Sequence, residues 1–303
     1  MCAAKMHEDE FETDPSLVRR LLAAQFPQWA DLPIERIAST GTDYAIYRLG
    51  DDMAVRLPRI HWATAQPEKE QRWLPKLAPH LPLAVPVPIA TGNPGEGYPW
   101  HWSVVPWMHG DAWAIDRVGD LCEAAADLAR FITALQQIDT TGGPPAGPEN
   151  GFRGVPLSTR DAGFRAAVAA AGDMVDAGAM IAAWKAALAA PEWDGPPVWV
   201  HGDLSRPGNL IVAEGRLSAV IDFGCLGVGD PACELAPAWS LFSGESRDVL
   251  RAALPFDDAT WARGRGWALR AVGAFPYYKD TNPAIVAEAQ HTIAEVLADH
   301  GAG

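Results

Sequence analysis

The stretch VWVHGDLSRPGNLIVAEGRLSAVIDFGCLGVGDPACELA, residues 198–236, decides the fold of this chain. Its apolar runs predict a strand, a polar loop, and then a short hairpin that turns at Glu214-Gly215. Because a hairpin returns the chain to the end of the sheet that it left, the loop and the end of the hairpin should meet. The sequence therefore predicts that Asp203, Asn209 and Asp222 lie together.

Two carboxylates and one amide at a single site suit phosphoryl transfer. That reaction needs oxygen ligands for Mg²⁺, and it needs a carboxylate that orients the attacking hydroxyl and accepts its proton. We interpret Asn209 and Asp222 as the metal ligands and Asp203 as the group that acts on the hydroxyl. An aspartate before a turn usually serves only the turn, so the interpretation depends on the whole set of motifs.

The strings HGDLSRPGN and IDFG resemble the aminoglycoside phosphotransferase family of antibiotic kinases, and the resemblance covers most of the chain. It implies an α+β, protein-kinase-like fold of two lobes with ATP or GTP bound between them. It also implies that Mg²⁺ is held by Asn209 and Asp222 and that Asp203 is catalytic. His201 would brace the loop, and Glu234, where the family usually has Asp, would support it.

The chain departs from the kinase pattern at two places. Asp203 and Asn209 are six positions apart, whereas kinases separate these residues by five, so the loop is longer by one residue near Ser205-Arg206. In MAVRLPR, Arg56 stands where the family usually has Lys, with Glu70 as its expected partner. A guanidinium can still hold phosphate oxygens through a bidentate contact.

The order of predicted elements divides the chain into a small β-rich lobe, residues 1–107, and a larger helical lobe, residues 108–303. A helix that begins at Asp14-Pro15 and another near Pro67 accompany the strands of the first lobe. These strands are expected at 34–38, 44–49, 53–57 and 102–107. Helical periodicity begins at 116 and continues through the segments 161–190, 257–272 and 283–299.

The nucleotide is expected to contact two segments of the small lobe. The loop STGTD contains Ser39 and Thr40 and lies where kinases cover the phosphates, although an ordinary hairpin turn fits its single glycine equally well. By the family resemblance, the base would meet the strand between the lobes, at Val105 and Trp107. Pro106 lacks an N–H and so limits the donors there.

Acceptor residues are the hardest to select from sequence. Antibiotic kinases line the helical side of the cleft with acids and aromatics, which makes Asp111, Trp267, Tyr277 and Asp280 the candidates. For each of them, core packing or ordinary exposure is the competing interpretation.

Composition excludes several classes of function. The 303 residues include 24 basic and 38 acidic ones, a net charge of −14 that repels nucleic acid and attracts cationic small molecules. The four cysteines show no metal or disulfide spacing. No uninterrupted apolar run reaches the ~18 residues of a membrane span, so we expect a cytoplasmic protein with no membrane or nucleic-acid partner.

Several functions remain open from sequence alone. A kinase that phosphorylates an aminoglycoside or macrolide-like antibiotic, and so confers resistance, is the leading interpretation. A metabolic kinase of a sugar, a choline-like alcohol or an amino alcohol would use the same motifs. A nucleotide-binding pseudokinase or a protein that sequesters a cationic drug would differ by showing no turnover.

Overall fold

The computed structural model describes residue 7, residues 9–38 and residues 41–302. The strands are β1 (Ile34–Arg36), β2 (Tyr44–Leu49), β3 (Met53–Pro58), β4 (Ala90–Gly92), β5 (Trp102–Pro106), β6 (Asp111–Ala112), β7 (Val198–Val200), β8 (Leu210–Ala213), β9 (Arg216–Val220) and β10 (Gly227–Gly229). The α-helices are α1 (Pro15–Gln25), α2 (Gln66–Leu77), α3 (Leu121–Gln136), α4 (Asp161–Ala171), α5 (Ala177–Ala189), α6 (Pro237–Ser240), α7 (Gly244–Ala253), α8 (Asp258–Leu269), α9 (Ala274–Tyr278) and α10 (Pro283–Ala302).

The N-terminal part is built around a five-stranded antiparallel sheet of order β1-β2-β3-β5-β4. The first three strands form the expected meander, and Arg56 of β3 lies opposite Ile46 of β2 and Ser103 of β5. Helix α1 packs its buried leucines on this sheet in one apolar cluster with Tyr47 and Trp102. The sheet thus holds Arg56 on a central strand, where its position is fixed from both sides.

Helix α1 begins where its sequence predicts. The Asp14 carboxylate accepts a hydrogen bond of 2.7 Å from the backbone N–H of Leu17, and Pro15 occupies the first helical position. This satisfies one of the N–H groups that every helix leaves unpaired at its start.

The C-terminal part is helical and contains two small sheets. Strands β8 and β9 form the predicted hairpin, in which Glu214 and Gly215 both have positive φ, as a tight two-residue turn requires. Strand β6 extends this sheet, and β7 pairs with β10 in the other. The large apolar core of α3, α5 and α8 packs beneath these sheets, so the loop between β7 and β8 rests on a rigid base.

Some boundaries differ from those predicted. Helix α3 begins at Leu121 because Asp120 caps it, and the alanine-rich stretch divides into two helices at Gly172, whose φ is +55°. The proline-rich segment also pairs with the second half of the chain, since Ala84 forms two backbone hydrogen bonds with β9. The α+β class is confirmed, while the boundary at 107 remains a prediction. Across the described ranges, no helix combines the length and apolarity needed to span a membrane.

Candidate active site

A cleft of about 870 Å³ opens between the five-stranded sheet and the helical part. It brings together residues that are far apart in sequence, from strands β2, β3 and β5, the loop between β7 and β8, and the last helices. Seven of the residues predicted from sequence line it, and these are Arg56, Val105, Trp107, Asp203, Asn209, Asp222 and Trp267.

The other predicted residues lie elsewhere. Glu70 is fully buried behind Arg56 rather than in the cleft wall. The acceptor candidates Asp111, Tyr277 and Asp280 are exposed, Tyr277 to 70%, and none of them lines the cleft. Ser39 and Thr40 lie outside the described residues.

The loop after β7 places Asp203 against Asn209. The Asn209 side-chain amide donates hydrogen bonds to the backbone carbonyl of Asp203 at 3.0 Å and to its Oδ2 at 3.1 Å. The extra residue of this loop is accommodated in a turn, in which Arg206 N–H donates to Asp203 O and Asn209 N–H donates to Arg206 O. The longer spacing therefore leaves Asp203 and Asn209 in direct contact.

His201 and Glu234 hold the backbone of this loop from below. Nδ1 of His201 accepts the N–H of Asp203 at 3.2 Å, so the ring proton lies on Nε2, which donates to the Ile221 carbonyl at 3.1 Å. Burial lowers the pKa of His201 to about 4, so the ring is neutral. The Glu234 carboxylate accepts the N–H groups of His201 and Gly202 at 2.9 and 2.7 Å.

Asp222 faces the cleft from a strained backbone position. Its φ of +65° and ψ of +71° lie in the left-handed region, which non-glycine residues seldom occupy. Burial among the walls of the cleft raises the pKa of this carboxyl to about 7, and the guanidinium of Arg56, 3.8 Å away, acts in the opposite direction. A carboxylate desolvated in this way favours a nearby cation.

Arg56 makes the ion pair that its sequence position suggests. Its Nη1 lies 2.6 Å from Oε2 of Glu70, and its guanidinium also lies over the ring of Tyr44, 4.1 Å from the ring centroid. This arrangement fixes the guanidinium beside Asp222 with one edge toward the cleft.

The oxygen atoms in the cleft fit Mg²⁺. Asp222 offers a carboxylate, and Asn209 offers an amide oxygen, because its NH₂ group is turned toward Asp203. Among the described residues, no three acids, histidines or cysteines cluster into a complete cation site. Mg²⁺ that binds nucleotide phosphates typically takes one or two protein oxygens and completes its shell with phosphate oxygens and water.

Strand β5 and the residue after it, Trp107, reach the cleft where the nucleotide base is expected. The N–H of Trp107 donates to the Asp52 carbonyl at 2.8 Å, toward the neighbouring turn. Since Pro106 has no N–H, neither residue gives the cleft a backbone donor. A nucleotide base that binds here would therefore form its hydrogen bonds with other backbone groups of the segment between the two parts of the chain.

Sequence reasoning missed Arg153. Its Nε donates to the Gly202 carbonyl at 3.0 Å, and its Nη2 lies 3.4 Å from Oδ1 of Asp203. The residue follows the Gly/Pro-rich segment 140–151. A basic residue immediately after that segment was the available signal, but only the three-dimensional path of the chain brings it to Asp203.

A family comparison identifies the class of this site. Residues 34–267 match the model of the phosphotransferase enzyme family, which covers most of the chain and includes Arg56, Asp203, Asn209 and Asp222. A search of curated proteins finds no match.

Solved structures of similar fold include kinases of two antibiotic classes. The GDP complex of aminoglycoside 2'-phosphotransferase-IIIa has a TM-score of 0.72 at 15% identity, and the match covers 95% of this chain and 100% of that one. The macrolide 2'-phosphotransferase MphH from Brachybacterium faecium has a TM-score of 0.60 at 22% identity, with 93% and 97% covered. The streptomycin–ATP ternary complex of APH(2'')-IIa has a TM-score of 0.58 at 17% identity, with 95% and 97% covered. The protein-kinase-like fold predicted from sequence is thereby confirmed.

Proposed function

Because the chain belongs to the phosphotransferase enzyme family, that of the aminoglycoside phosphotransferases, we propose that it transfers the γ-phosphoryl group of ATP or GTP to a hydroxyl of a small molecule in a Mg²⁺-dependent reaction. The observation that carries this proposal is the contact of Asp203 with Asn209 in the cleft that Asp222 and Arg56 also line. Two of the structures of similar fold were solved with GDP or with ATP, which supports a nucleotide donor.

Asp203 is positioned to act on the acceptor hydroxyl. Asn209 and Arg153 contact opposite oxygens of its carboxylate, and this restricts rotation of the side chain. Its carboxylate can accept the hydroxyl proton as the oxygen attacks phosphorus, and most of the rate gain would come from orientation and charge.

His201 and Glu234 act through the loop and do not touch the reacting atoms. With a neutral ring and two backbone contacts, His201 has no proton to exchange with the acceptor. Their role is to keep the backbone of Asp203 fixed while its carboxylate orients the acceptor hydroxyl.

Asp222 and Asn209 would hold Mg²⁺, which when bound neutralises charge on the phosphates. Arg56 would hold phosphate oxygens with the edge of its guanidinium that Glu70 does not occupy. Glu70 keeps that guanidinium in place.

The acceptor is proposed in two classes. Aminoglycosides and macrolides come first, since solved neighbours carry those names, and in that case resistance would be the physiological role. A metabolic alcohol, such as a sugar, a choline-like compound or an amino alcohol, comes second.

The test is an acceptor screen. The purified protein is incubated with Mg²⁺ and either ATP or GTP against aminoglycosides, macrolides, sugars and amino alcohols, and nucleoside diphosphate release and acceptor mass are recorded. An acceptor that gains one phosphate supports the proposal, provided that Asp203→Ala abolishes the gain. Nucleotide binding without acceptor-dependent turnover by any compound would contradict it and favour a pseudokinase.

A further inference from the structure

Three arginines, Arg153, Arg160 and Arg270, form a group on the helical side of the cleft, and we call them the arginine cluster. Arg153 and Arg270 line the cleft, and Arg153 also contacts Asp203. Burial lowers the pKa of Arg270 to about 9, and repulsion from the charges of Arg153 and Arg160 adds to this shift. Positively charged side chains therefore lie near one another in a wall that is partly buried.

Two members of the cluster lack an anionic partner. Among the described residues, neither Arg160 nor Arg270 forms an ion pair or a hydrogen bond, and each instead lies over an aromatic ring. The guanidinium of Arg160 is 4.4 Å from the ring centroid of Phe152, and that of Arg270 is 4.7 Å from that of Trp267. The guanidinium of Arg270, which lines the cleft, therefore keeps its N–H donors free for an anion that enters the cleft.

Two polar atoms on or behind this wall are donors without a partner in the described part of the chain. Nε of Arg160 and Nε1 of Trp267 are both buried and have no hydrogen-bond partner among the described residues. Trp267 is itself only 5% exposed and lines the cleft next to Arg270. On the opposite wall the orphaned atoms include an acceptor, the side-chain oxygen of Gln66. The helical wall therefore presents two neighbouring donor groups without an acceptor in the described ranges, the guanidinium of Arg270 and Nε1 of Trp267, and together they suit an anion.

Arg270 has different charged neighbours from Arg56, the residue assigned to the phosphates of the nucleotide. Arg56, which is placed to hold those phosphates, interacts with Glu70 and Asp222, whereas the strongest charge interactions of Arg270 are with Arg153 and Arg160. The cleft is lined by acidic as well as basic side chains. The acids are Asp43, Glu149, Asp203, Asp222 and Glu288. None of them forms an ion pair with Arg270.

We propose that the acceptor carries a carboxylate or phosphate group, which binds Arg270 and Trp267 Nε1 while its hydroxyl lies at Asp203. This inference rests on the proposed kinase function. It sets aside the cationic acceptors named there and selects, among the metabolic alcohols, hydroxy acids and phosphorylated sugars. A polycationic aminoglycoside would meet repulsion from the same wall.

The first experiment compares matched acceptors in the kinase assay, namely gluconate with sorbitol, glycerate with glycerol, and glucose 6-phosphate with glucose. The anionic member of at least one pair is expected to have the larger kcat/KM by at least about tenfold. In Arg270→Gln the KM of the anionic acceptor should rise, so that the preference becomes smaller. Arg270→Lys keeps the positive charge and should retain part of the preference. Arg251→Gln is the matched control, since Arg251 lies over Trp261 but outside the cleft.

A binding measurement tests the cluster without turnover. Sulfate is titrated into the protein with saturating Mg²⁺ and a non-hydrolysable ATP analogue present, so that the α-, β- and γ-phosphate positions of the nucleotide are all occupied. One site is expected in the wild type and in Arg251→Gln, with affinity at least about tenfold lower in Arg270→Gln. Phosphorylation of neutral or cationic acceptors with no effect of Arg270→Gln would overturn the anionic acceptor and leave the kinase intact. Absence of sulfate binding would overturn the anion site itself, and absence of any phosphorylated acceptor would instead contradict the kinase proposal.

Discussion

The guanidinium of Arg56 lies 2.6 Å from the carboxylate of Glu70, and both side chains are buried. Truncating one partner of such a pair leaves the other charge buried and alone. We therefore expect Glu70→Ala to lower the free energy of unfolding by about 3 kcal/mol and to raise the nucleotide KM. Urea denaturation and initial-rate kinetics measure the two effects.

Glu68→Ala is the control for this change, because Glu68 lies on the same helix but is exposed. Its free energy of unfolding should stay within about 0.5 kcal/mol of the wild type. Equal losses in the two variants would show that the effect belongs to the helix and not to the ion pair.

Removing the carboxylate of Asp203 should abolish most turnover but not nucleotide binding. Asp203→Ala is expected to lower kcat by at least about 10²-fold, because the hydroxyl loses both its orienting group and its proton acceptor. Nucleotide affinity, measured by calorimetry, should remain near that of the wild type. Asp280→Ala, which changes an exposed acid away from the cleft, serves as the control. Wild-type kcat in Asp203→Ala would remove this residue from the mechanism.

The sequence predicted the local features well because local rules govern them. The strands at 44–49 and 53–58, the cap at Asp14 and the hairpin turn at Glu214-Gly215 all follow from patterns within a few residues. The contact of Asp203 with Asn209 was also predictable, since both lie on one short loop.

The acceptor wall could not be predicted in the same way. Trp267 was selected and does line the cleft, whereas Asp111, Tyr277 and Asp280 were selected by residue type and do not. Packing against segments that are distant in sequence decides which residues face the cleft. Local sequence patterns do not contain this information. Arg153 was missed for the same reason, because it comes to Asp203 from 50 positions away.

Asn209 combines two roles that substitution can separate. Asn209→Ala removes the amide oxygen proposed for Mg²⁺ and the NH₂ group that contacts Asp203. The Mg²⁺ concentration for half-maximal activity should rise by at least about tenfold, and excess Mg²⁺ should recover only part of kcat. Asn209→Asp keeps an oxygen ligand but loses the donor, so its Mg²⁺ requirement should stay closer to that of the wild type. An unchanged requirement in Asn209→Ala would exclude this residue as a ligand.

His201 and Glu234 should make opposite contributions to the pH dependence of stability. Burial raises the pKa of Glu234 from 4.5 to about 7, so the folded state binds more protons than the unfolded state between those values and becomes less stable as pH rises. Burial lowers the pKa of His201 from 6.5 to about 4, so the folded state binds fewer protons between those values and becomes more stable as pH rises. Each contribution amounts to about 3 kcal/mol and, between about pH 4.5 and 6.5, they largely cancel.

Glu234→Gln should separate the contribution of Glu234 from that of His201. The glutamine can still accept one N–H of the loop but does not titrate, so the difference in unfolding free energy between wild type and variant isolates Glu234. That difference, wild type minus Glu234→Gln, should fall as pH rises from about 4.5 to 7 and then level off. Urea denaturation at intervals from pH 4.5 to 8 measures it. A difference that rises with pH would mean that the two loop N–H groups stabilise the carboxylate more than burial destabilises it, and Glu234 would then be ionised throughout this range.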